Sequence, residues 1–129
     1  VGVSSSNIST HSRIRTHNVE CDTDAQEETL YTCPSNCRSH VSLVFVVNTG
    51  GTVTVDVEFN RAPATQTTLG VDPHMHILGG KNMAAEEYIQ FTGAEMVMEP
   101  GDTLTVTATG TTPHVDVMCT VEEFFLLPG

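Results

Sequence analysis

Three short runs of strict alternation constrain this chain more than any other feature. They are Val53-Thr54-Val55-Asp56-Val57-Glu58-Phe59, Leu104-Thr105-Val106-Thr107-Ala108 and Val115-Asp116-Val117-Met118-Cys119-Thr120-Val121. Successive side chains of a strand point to opposite faces, so a period of two means one buried face and one wet face. Several such strands separated by turn residues make half-buried antiparallel sheets, and two such sheets pack as a sandwich or jelly roll. Composition agrees: Thr and Val supply 35 of the 129 residues, and β-branched side chains favour strands. The expectation is an all-β antiparallel sandwich or jelly roll of about eight strands. A chain of this length forms a single domain with a core of its own.

Charge narrows the partners. Sixteen acids against five bases leave a net charge of −11, with no basic cluster to track a phosphate backbone, so nucleic acid is not an expected partner. An anionic membrane surface would repel such a chain. The longest apolar run, from Val41 to Val47 and broken by Ser42, is far shorter than a spanning helix needs. Val1-Gly2-Val3-Ser4-Ser5-Ser6 does not read as a signal peptide.

The chain is organised as an extended arm over residues 1–21 followed by one sandwich domain over residues 22–129. The first ten residues are Ser-rich and aperiodic, and a weakly alternating segment from Arg13 to Cys21 reads as an arm strand that adds to a neighbour's sheet. Strands are expected near Thr29–Thr32, His40–Asn48, Thr52–Asn60, His74–Leu78, Tyr88–Thr92, Glu95–Met98, Thr103–Thr109 and His114–Leu126. Asn48-Thr49-Gly50-Gly51 reads as a hairpin turn. Arg61 to Gly70 reads as a loop, and the one candidate helical turn is Met83 to Glu87.

Chemistry has few footholds. Cys119 continues the apolar parity of Val115, Val117 and Val121, so it reads as a small buried hydrophobe. Cys33 and Cys37 flank a Pro-containing turn and could close a small disulfide loop, whereas Cys21 is isolated. No Gly-x-Ser-x-Gly elbow or Gly-rich phosphate loop is present. The acid pairs Glu86-Glu87 and Glu122-Glu123 read as solvated. No enzymatic activity and no cofactor are expected. His74 and His76, at i and i+2 on a strand, share a face in the geometry that chelates a metal ion, and His114 lies on a later strand. This arrangement resembles the cupin metal site only in part, because Glu86 falls ten residues after His76 and His114 comes late for the second motif.

The pattern as a whole resembles small β-sandwich virion proteins of tailed bacteriophages. The resemblance is carried by Leu30-Tyr31-Thr32-Cys33-Pro34, His40 to Thr49, Ile77-Leu78-Gly79-Gly80-Lys81-Asn82-Met83, Met98-Glu99-Pro100-Gly101-Asp102 and Val117 to Glu123. It implies a capsid decoration, cement or head–tail protein. Such a protein acts as a homo-oligomer against other virion proteins such as the major capsid protein, in a particle assembled in the host cytoplasm. The arm carries Arg13, Ile14 and Arg15, and the Phe124-Phe125-Leu126 end needs burial by core or partner. These six residues are the expected partner-binding set. Two alternatives stand beside this one: a pilus or adhesin subunit polymerising by donor-strand addition, and a cupin-like metal-binding protein using His74, His76 and His114.

Overall fold

Residues 11–69 and 72–126 are described by a computed structural model. Among the described residues eight strands run in chain order: β1 (Ser12–Cys21), β2 (Gln26–Thr32), β3 (Cys37–Asn48), β4 (Val53–Asn60), β5 (His74–Met83), β6 (Tyr88–Met98), β7 (Thr103–Thr109) and β8 (Val115–Phe125). A short helix, α1 (Pro63–Leu69), lies between β4 and β5. The strands form two four-stranded sheets, ordered β1-β8-β3-β6 and β2-β7-β4-β5, with every pair antiparallel. The architecture is therefore the expected β-sandwich. Its order, with most connections crossing between sheets, is that of a jelly roll.

The alternation places the core. Val53, Val55, Val57 and Phe59 point inward from β4, Leu104, Val106 and Ala108 from β7, and Val115, Val117, Cys119 and Val121 from β8. Met83 and Met98, fully buried, fill the space between the sheets. Each such side chain contributes about 1.5–3 kcal/mol relative to exposure. In β3 the parity slips, with Val41 and Val44 both buried, because a bulge between Val41 and Leu43 absorbs Ser42.

Five expectations are corrected. Ser12–Cys21 is not a free arm: β1 pairs with β8 of its own chain along its whole length, and Val19 and Cys21 reach the core. Residues 1–10, the rest of the expected arm, lie outside the described residues. Asn48–Gly51 does not close a hairpin. It is an arch between sheets, because β3 pairs with β6 and β8 while β4 pairs with β5 and β7. The helix forms within Arg61–Gly70, where Pro63 supplies a preset first-turn φ and Gln66 N donates to Ala62 O at 3.0 Å. Met83 to Glu87 is the end of β5 and a tight turn, with Glu86 at φ 67°. Finally, the two segments Tyr88–Thr92 and Glu95–Met98 are one strand, β6.

Buried polar residues hold the turns at both ends. At one end Asn48 places its side-chain nitrogen 2.7, 3.1 and 3.0 Å from the carbonyl oxygens of Gly51, Met83 and Ala84. Its Oδ1 accepts from Gly50 N at 3.0 Å. Gly50 must be glycine there, since a Cβ would meet the His114 Cβ at 2.8 Å. At the other end Asp102 accepts from Ala62 N at 2.8 Å, Glu99 N at 3.0 Å and Arg61 Nη1 at 3.4 Å.

Candidate interaction surface

The expected partner-binding residues gather at one end of the β1–β8 pair. Ser12 lies opposite Phe124 and Arg13 opposite Glu123. The Arg13 guanidinium sits 5.1 Å over the Phe125 ring, and Phe125 N donates to His11 O. Leu126 N donates to Asn36 O, which pins the end of β8 to the turn before β3. Phe124 tilts against His40 on the outer face, with ring centroids 4.8 Å apart. Phe124 and Phe125 are half-buried, while Ile14 and Leu126 are exposed. Arg15 points to the inner side of the edge, and Ile14 to the outer side, by the same parity that buries Cys21.

Beneath this end lies a polar cluster that the sequence reading missed. Glu123 is buried, not solvated. Its Oε2 accepts from the Tyr31 hydroxyl and its Oε1 from Arg13 Nε, each at 2.5 Å. Tyr31 gives its one proton to Glu123, so Ser39, 2.7 Å away, donates to Tyr31. Burial pushes the Glu123 carboxyl up, but the hydrogen bonds from Tyr31 and Arg13 outweigh it and hold the group below its ordinary 4.5. Burial and the bond to Glu123 push the Tyr31 phenol up. The signal was present in the sequence: Glu123 continues the inward parity of Val115, Val117, Cys119 and Val121.

The histidines are not brought together. His74 and His76 lie side by side on β5, ring centroids 5.8 Å apart, and His76 Nε2 is 3.4 Å from Glu58. His114 precedes β8 at the opposite end of the sandwich, where its carbonyl accepts from Thr49 N and its ring is 3.3 Å from Glu20. Glu86 is at that far end too, bonded to Asn48. Among the described residues no group of three His, Cys, Asp or Glu side chains is placed to hold a metal ion.

A cleft of about 350 Å³ opens between Phe59, Arg61, Asp72, His74, Met75, Met96 and Val97. Its cation is already engaged: Arg61 stacks 4.6 Å over Phe59 and pairs with Asp102. The four cysteines are free thiols, all buried. Burial raises Cys21 and Cys119 to about 11 and raises Cys33 and Cys37 as well. Thiolate is the reactive form, so maleimide at pH 7.5 is expected to leave the folded chain unlabelled over minutes and to label four sites once urea unfolds it. Mass spectrometry of the two samples checks this.

No known protein family matches the sequence, and no curated protein does either. Solved structures do share the fold. One, of Bacillus endospore appendages that form disulfide-linked pili, is 14% identical with a TM-score of 0.50, over 90% of this chain and 89% of that one. A capsid structure of the Helicobacter pylori bacteriophage KHP30 is 14% identical with a TM-score of 0.51, over 92% and 94%. A structure of PirA is 12% identical with a TM-score of 0.51, over 80% and 90%. Likeness at these identities establishes the fold, and the same jelly roll thus occurs in a phage capsid structure and in a pilus structure.

Proposed function

We propose that this chain is a non-enzymatic structural protein of a tailed-phage virion, a decoration or cement subunit that stabilises the shell. The observation that carries the proposal is the match to the bacteriophage capsid structure over nearly the whole of both chains, joined to the sequence resemblance. The surface chemistry supports it. Phe124, Leu126 and His40 sit beside the start of β1. An extended segment can there add main-chain hydrogen bonds to the major capsid protein while the apolar end of β8 packs against it.

The pilus structure is matched about as fully, so a polymerising subunit is the second reading. It is weakened by β1, which already fills the place beside β8 that a donated strand would occupy.

The test is binding of purified chain to particles that lack it. The full chain is expected to saturate fixed sites. Deleting residues 1–10, or substituting Leu126→Glu, is expected to weaken attachment at least about tenfold, the loss of one well-placed contact. Undiminished binding by both variants would remove this end from the docking surface. Absence of binding by the full chain, with open polymers in solution, would instead establish the pilus reading.

A further inference from the structure

The four sheet edges of this sandwich are not alike. β2 is interrupted by a register shift between Thr29 and Tyr31. β5 carries two shifts, around Val57, and the exposed Gly79-Gly80-Lys81. β6 bulges where Val41 and Leu43 of its neighbour face Met96 and Thr92. Bulges, glycines and edge lysines are how sheets prevent strand-to-strand pairing. β1 has none of them. Its ten residues pair with β8 without a shift, giving a regular edge roughly 33 Å long. Its alternate main-chain groups face away from β8, and among the described residues no strand covers them.

Charge decides what can lie there. Two of the chain's five basic side chains, Arg13 and Arg15, stand on the inner side of this edge near its start; Arg13 is bonded to Glu123 of its own chain, so Arg15 carries the positive charge offered to a partner. The end of the edge is acidic: Glu20 lies on the outer side, and on the inner side Glu28 of β2 stands opposite Val106, whose carbonyl oxygen is 4.0 Å from the Cys21 thiol. A two-fold axis through the edge makes β1 pair antiparallel with β1 of a second copy. Centred near His17, that pairing sets Arg15 opposite Val19 and Arg13 opposite Cys21, so the basic start of each strand meets the acidic end of the other. Parallel pairing would put base on base and acid on acid.

We infer that β1 is a self-association edge, through which two copies of this chain join antiparallel into one continuous eight-stranded sheet. The contact is isologous, so it closes after two copies. It does not depend on the virion reading, and it leaves the Phe124–Leu126 ends of the two copies at opposite ends of the pair.

The experiment is sedimentation velocity and native mass spectrometry of the full-length chain across a concentration series. The native chain is expected to form dimers. Arg15→Glu and Glu28→Arg should each raise the dimer dissociation constant at least about tenfold by setting like charges against each other. The double variant Arg15→Glu/Glu28→Arg should recover dimerisation. Circular dichroism checks that each variant stays folded, and hydrogen exchange should show β1 amides gaining protection with concentration while β5 amides do not. A chain monomeric throughout the series, single variants that dimerise like the native chain, or a double variant that fails to recover would each overturn the inference.

Discussion

Replacing Tyr31 with Phe costs about 2 kcal/mol of stability at pH 7, the worth of a hydrogen bond to a charged group. The substitution removes one oxygen from a buried polar cluster and leaves the ring in place. It takes from Glu123 the hydroxyl donor at 2.5 Å and leaves Ser39 without its acceptor. Arg13 remains as the other donor, so the carboxylate is weakened rather than stranded.

The pH dependence follows from the direction of the Glu123 shift. Its folded-state value lies below the ordinary 4.5, so ionisation of Glu123 contributes stability that is present above 4.5. That contribution is lost as pH falls through the lower, folded-state value. In Tyr31→Phe, burial is less well opposed, the folded-state value rises, and the window narrows. The deficit of the variant should therefore shrink on acidification. Arg13→Ala acts in the same direction, because it removes both a donor and a positive charge, and its acid unfolding should begin at higher pH than that of the native chain. Urea melts at pH 7, 5 and 3.5 measure all three curves. A Tyr31→Phe deficit that does not shrink even where the native chain loses stability to acid would mean that the Tyr31 hydrogen bond does not hold Glu123 in its ionised form.

Local pattern and long-range pairing were unequally legible in this sequence. The period of two in Val53–Phe59 and Val115–Val121 identified strands, their inward faces and the sandwich, because burial of one face imposes that period directly. Pairing has no such signature. Asn48-Thr49-Gly50-Gly51 is a good turn sequence whether it joins neighbours in one sheet or arches between two, and only the partners of β3 and β4 decide. β1 looked like an arm because its side chains are mostly exposed. An edge strand held by main-chain bonds to β8 needs few buried side chains. His74 and His76 were correctly placed on one strand, but His114 sits at the other end of the sandwich, a separation that spacing along the chain does not encode. Glu123 was misread for the opposite reason: residue type was weighed above parity, although the parity of β8 placed it inside.

The largest effect is expected from crossing two isosteric residues, Asn48→Asp and Asp102→Asn. Both side chains are buried and both hold turns together at an end of the sandwich, but their chemistry is opposite. The Asn48 nitrogen must donate, since it faces three carbonyl oxygens. An Asp there sets a carboxylate oxygen against those carbonyls, orphaning acceptors from both the β3–β4 arch and the β5–β6 turn. Each unsatisfied buried group costs about 1–3 kcal/mol, so about 3 kcal/mol or more is expected. Asp102 must accept, from Ala62 N, Glu99 N and Arg61. Asn keeps one acceptor oxygen and aims an amide at a donor, for about 2 kcal/mol. Volume is unchanged in both, so neither loss can come from a cavity. Chemical denaturation gives the two magnitudes, and hydrogen exchange gives the place: Asn48→Asp should release amides at Gly50 and Glu86–Glu87 first, and Asp102→Asn those at Ala62 and Glu99. Release spread evenly over the sandwich would show that these residues do not staple particular turns, and a loss under about 0.5 kcal/mol from either substitution would show that the donor or acceptor role is not what that site selects.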